Sequence, residues 1–84
     1  MAELQVFDVS ASGRRVALYE SRGIFHVAFA PLAGALCIHH RFSGDSVDVG
    51  PCTMYDRDAQ KPVALVFEQT GCTLWEALDL IEER

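Results

Sequence analysis

The chain has 84 residues, half of them apolar and 23% charged, which describes one globular domain with a single core rather than a disordered segment. Its formal net charge of −5 argues against direct nucleic-acid binding, which needs basic side chains to displace counterions, and against an anionic membrane surface. No apolar run approaches the roughly 18–20 residues that span a bilayer, and Met1-Ala2-Glu3-Leu4 lacks the basic start of a signal peptide, so a cytoplasmic protein is expected.

In chain order, Leu4 to Val9 is an apolar, β-prone stretch ending in the turn cluster Ser10-Ala11-Ser12-Gly13. Arg14 to Ser21 alternates, with Val16, Leu18 and Glu20 on one face and Ala17 and Tyr19 on the other. Arg22-Gly23 is a turn signal. Ile24 to Ala30 makes a third strand, and after Pro31-Leu32-Ala33-Gly34 the stretch Ala35 to Phe42 makes a fourth. Val47-Asp48-Val49 fits a short edge strand. Gly50 to Pro62 shows no periodicity and is expected to be a loop, and Val63 to Glu68 the last strand, placed centrally because it is almost continuously apolar.

The C-terminal stretch has a helical period. Thr73-Leu74-Trp75-Glu76 has the capping-box pattern, and Leu74, Ala77, Leu78 and Ile81 form one apolar stripe. Trp75 and Leu80 flank the stripe, while Glu76, Asp79, Glu82 and Glu83 gather on the opposite side. So short a helix is marginal alone and must pack on the sheet. The expected fold class is α+β: an antiparallel meander of four to five strands with one C-terminal helix packed on one face.

Cys37, His39 and His40 crowd into Leu36-Cys37-Ile38-His39-His40-Arg41-Phe42. On a strand the two histidines point to opposite faces, which leaves Cys37 and His39 together and too few ligands for zinc. No metal and no cofactor are expected. Nucleophile elbows, phosphate loops and His-Glu-x-x-His are absent from the sequence, so no catalytic residue is assigned. Asp56-x-Asp58 begins like a calcium loop, but Lys61 stands at its glycine position and Phe67 at its bidentate glutamate position.

Three cysteines form an odd set, which fits reduced thiols better than a disulfide framework. Cys72, just before the helix N-cap, reads first as a structural cysteine that fills the strand-to-helix corner. If exposed, it is the candidate for an intermolecular disulfide in a homodimer.

The carboxylates remain as the candidate binding surface: Glu76, Asp79, Glu82 and Glu83 on the helix, with Asp56 and Asp58 in the loop. A non-enzymatic, acidic protein-binding module is the expectation. Its sharper form presents carboxylates to a basic, nucleic-acid-binding surface. In size, charge and lack of an enzyme motif the chain is similar to phage inhibitors of CRISPR and restriction systems.

A second resemblance is local. Thr70-Gly71-Cys72-Thr73-Leu74-Trp75-Glu76-Ala77-Leu78 resembles the strand-to-helix junction of HicB-type antitoxins, and Ala30-Pro31-Leu32-Ala33-Gly34 falls near that family's Pro-containing turn. Trp75 replaces an acidic residue usual there. The resemblance implies a short antiparallel sheet with one or two helices, and a toxin as the alternative partner. A small metal- or thiol-dependent protein is the third alternative.

Overall fold

The computed structural model describes residues 2–21, 23–30 and 38–82. Six strands and one helix follow in order: β1 (Ala2–Val9), β2 (Arg15–Glu20), β3 (Ile24–Phe29), β4 (Arg41–Gly44), β5 (Gly50–Asp56), β6 (Lys61–Cys72) and α1 (Leu74–Ile81). All neighbouring strands are antiparallel. The order β1-β2-β3-β6-β5-β4 closes on itself, because β4 pairs with β5 on one side and with β1 on the other. A closed six-stranded barrel with a short helix thus replaces the expected open meander.

Two local expectations fail for physical reasons. The segment expected to be a loop contains β5, whose inward side chains Cys52, Met54 and Asp56 keep the period of two. Pro51 near its start and an aspartate at an inward position hid that period. The expected strand from Ala35 to Phe42 lies partly outside the described residues. Within it, Ile38 and His39 form a turn, with His39 at φ +77°, and only Arg41 and Phe42 are extended. Val47-Asp48-Val49 is not a strand, although Val47 packs against the barrel core.

Alternation fills the barrel. Leu4, Val6, Val16, Leu18, Ala28, Phe42, Met54, Leu65 and Phe67 point inward and are buried. At six strands the interior holds only side chains, so this is a packed core and not a channel. β2 and β3 are also covered outside, where Ala17, Phe25 and Val27 meet Ala77 and Ile81 of α1. Ala17 and Ala77 are both fully buried, and their small side chains let helix and sheet approach closely.

Bulges shape the ends of this contact. Val6 pairs with Leu18 and Asp8 with Ala17, which leaves Phe7 as an extra residue. The β3–β6 ladder slips near Gly71, which sits at φ +68°. The ring of His26, 5% exposed, takes over part of that ladder. Its Nδ1 accepts the Gly71 N–H at 3.2 Å, which places its proton on Nε2, 3.3 Å from the Glu20 carboxylate.

The helix begins as its sequence dictates. Thr73 Oγ1 accepts the Glu76 N–H and the Glu76 carboxylate accepts the Thr73 N–H, both at 3.2 Å. Ile81 is buried and Leu78 half-buried against the sheet. Ile81→Ala is expected to cost about 2–4 kcal/mol, read from the midpoint of urea unfolding. An unchanged midpoint would show that α1 is not docked through this residue.

Candidate functional site

The six candidate carboxylates separate into two groups. Glu76, Asp79 and Glu82 are exposed on α1, and no basic residue occupies the helix's last turn. Glu83 lies outside the described residues. Asp56 and Asp58 belong to the β5–β6 turn and face different work.

Asp56 is fully buried at the inward end of β5. One carboxylate oxygen accepts the N–H groups of Asp58 and Ala59, each at 3.0 Å, which holds the turn closed. The other lies 3.0 Å from Nδ1 of His40. Burial pushes the Asp56 pKa up, but the Ala59 amide, the His40 ring and the Asp58 amide outweigh it and hold the group below the ordinary carboxylate value. Asp58 is tied to β4: its Oδ2 accepts the Arg41 N–H at 2.6 Å and its Oδ1 the Arg41 guanidinium at 3.3 Å. The Arg41 amide, then the guanidinium, keeps its pKa low. The loop acids therefore stitch β4 to the β5–β6 turn, and Asp56 presents no charge to a partner.

The outer surface between α1 and β4 has a different character. Trp75 is 77% exposed, Phe7 43% and Tyr19 38%. Phe7 and Tyr19 each meet the buried ring of Phe25 edge-on, with centroids 5.3 and 5.2 Å apart. Leu78 and Glu82, on the same helix flank as Trp75, line a depression with Asp8–Ala11 of β1 and its turn. By helical spacing Trp75 belongs to the flank of α1 that Leu78 and Glu82 turn towards the end of β1.

Past Tyr19 the uncovered face of β1 forms a groove of about 250 Å³. Glu3, Leu4, Gln5, Tyr19, Ser21, Arg41, Phe42 and Arg57 line it. Arg57 reaches Glu3 at 3.3 Å and Arg41 reaches Asp58 at the same distance, all with exposed or half-exposed side chains. The groove is smaller than the roughly 300–1,000 Å³ typical of small-molecule sites, which suits one or two side chains of a protein partner.

Cys72 is 4% exposed and packs in the strand-to-helix corner with Phe25, Ala77 and Ile81. Burial pushes its thiol pKa up, and the Glu76 carboxylate adds to the shift. Such a thiol is both inaccessible and protonated, a poor starting point for a cross-link between chains. Cys52 is half-buried, and Cys37 lies outside the described residues. Among the described residues no three His, Cys, Asp or Glu side chains converge as metal ligands, and no helix is long and apolar enough to cross a membrane.

Sequence periodicity indicated the acidic helix face and placed Trp75 on its flank. The aromatic strip was missed, because the Phe7 bulge and the pairing that brings Tyr19 beside Gln5 are long-range features. No protein-family model, curated protein or solved structure matches this chain.

Proposed function

We propose that the protein is a non-enzymatic docking module that binds a protein with a basic surface through the outer flank of α1. The observation that carries this reading is Trp75, 77% exposed on the same short helix as the exposed acids Glu76, Asp79 and Glu82, with the rings of Phe7 and Tyr19 also exposed on β1 and β2. Interface hot spots are enriched in Trp and Tyr, and lysine or arginine side chains stack favourably on such rings. The surrounding carboxylates steer a basic partner and set the salt dependence of its association. A nucleic-acid mimic requires negative charge spread over the surface. With Asp56 buried and Asp58 engaged by Arg41, the candidate acids are concentrated on one short helix, which favours a basic protein patch over a phosphate-binding track.

Immobilised protein should retain a basic protein from the lysate of its own host. Trp75→Ala and the Asp79→Gln/Glu82→Gln double variant should each weaken that complex at least tenfold without altering the far-UV spectrum. Added salt should weaken wild-type binding and affect the double variant less. A retained basic protein that binds all three forms equally would remove α1 from the interface.

A further inference from the structure

A buried histidine closes the corner where β6 turns into α1. His26 of β3 is 5% exposed, and each of its ring nitrogens has one partner. Nδ1 accepts the Gly71 N–H at 3.2 Å, and Nε2 donates to the Glu20 carboxylate of β2 at 3.3 Å. Gly71 stands at φ +68° where the β3–β6 ladder slips, two residues before the N-cap Thr73. Val27 lies opposite Gln69 and Phe25 opposite Cys72, so the ring bridges the irregular stretch between these two pairs.

We infer that His26 is a proton-operated latch on this corner: a second ring proton expels the Gly71 N–H and loosens the entry into α1, while the barrel stays closed. Histidine changes charge between about pH 5 and 8, and the imidazolium is a donor at both nitrogens. A donor at Nδ1 faces the donor of Gly71, so that hydrogen bond is lost. The contact to Glu20 persists and becomes an ion pair. The ring is therefore held while the backbone gives way. Gly71 has room to move, since nothing lies within 4 Å of where a Cβ would stand. The β4 pairings that close the barrel involve none of these residues.

The charges around the ring favour the proton. Glu20 of β2 shares a depression with Glu3 of β1 and with Asp45, which follows β4, although Arg57 offsets Glu3 through a 3.3 Å contact. On β6, the uncharged ring of Phe67 stands edge-on to His26, with centroids 6.3 Å apart. Cys72 stays a neutral thiol, because burial and then the Glu76 carboxylate push its pKa up. On α1 that same carboxylate accepts the Thr73 N–H. His40 behaves differently. Its Nδ1 donates to Asp56 whether the ring is neutral or charged, so a second proton leaves that contact intact.

Trp75 is the second residue of α1, so the latch lies at the root of the docking flank proposed above. It does not depend on that reading, because amide hydrogen exchange at Gly71 is measured on the protein alone. From about pH 8 to pH 5, the protection factor of the Gly71 amide, corrected for the intrinsic pH dependence of exchange, should fall at least tenfold. That range lies above the window in which Asp56 and Asp58 titrate. Amides of the β1–β4 ladder should change less than twofold. His26→Gln offers an oxygen to the Gly71 N–H and an amide donor to Glu20, and takes up no proton. It should keep a native far-UV spectrum, and its Gly71 protection should change less than twofold over the same range.

Wild-type Gly71 protection that is equal at both ends of the range overturns the latch, and so does an equal fall in His26→Gln. Loss of protection throughout the barrel also overturns it, because the change is confined to the corner. Should His26→Gln not fold, Glu20→Gln replaces it. That variant lacks the carboxylate that holds the imidazolium, so the transition at Gly71 should move to lower pH. An unmoved midpoint would count against a latch built from these two side chains.

Discussion

Asp56→Ala is expected to lower stability by about 3–5 kcal/mol, because each buried donor left without its acceptor costs about 1–3 kcal/mol. Three groups lose their acceptor at once: the N–H of Asp58, the N–H of Ala59 and the ring of His40. A domain of this length has only about 4–13 kcal/mol in total, so much of the variant should be unfolded at moderate temperature. Chemical denaturation monitored by Trp75 fluorescence and far-UV circular dichroism measures the change. The wild type should show a matching acid sensitivity. Because the folded-state pKa of Asp56 lies below the ordinary aspartate value of 3.8, its ionised form contributes stability that is fully present above the unfolded pKa. That contribution fades as pH falls through 3.8 and is lost below the depressed folded value. Asp58 shares the direction of the shift and the window. Asp56→Asn should therefore flatten the acid limb only in part. An acid limb unchanged in the Asn variant would mean that the aspartate is not charged in the folded protein.

Phe42→Ala should be comparably costly, at about 3–5 kcal/mol. Phe42 is fully buried at the centre of β4, opposite Leu4 of β1 and Asp56 of β5. Only two residue pairs join β4 to β5, so this ring anchors the strand by which the barrel closes. Amide hydrogen exchange distinguishes local from global damage. Loss of protection confined to β1, β4 and β5, with β2, β3 and α1 still protected, would show the barrel opening along this seam. A loss of stability below about 1 kcal/mol would contradict full burial of the ring.

Both expectations concern residues whose importance was not visible locally. In the sequence Asp56 is a candidate binding carboxylate in an expected loop, and Phe42 is one apolar residue among many. An inward aspartate is tolerable only because His40, sixteen residues away, and two turn amides reach it in the folded chain. Cys72 differs from these two: its place beside a helix N-cap already favours a structural cysteine in the strand-to-helix corner, and Phe25 and Ile81 pack around it and leave the thiol buried and protonated.

What the sequence determined by itself is local. Alternation in Arg14–Ser21 and Ile24–Ala30 specified β2 and β3 and their faces, since side chains on a strand repeat every two residues. The Thr73–Glu76 box and the stripe at Leu74, Ala77, Leu78 and Ile81 likewise specified α1, because a cap and a helical period are written within a few residues. Tertiary structure alone decided that the sheet closes. Closure depends on β1 pairing with β4, nearly forty residues away in sequence (Gln5 with Arg41), and no local pattern encodes which strand ends meet. It also decided which acids stay exposed, because burial belongs to the assembled barrel: Asp56 is drawn inside, and Asp79, Glu82 and Trp75 remain at the surface.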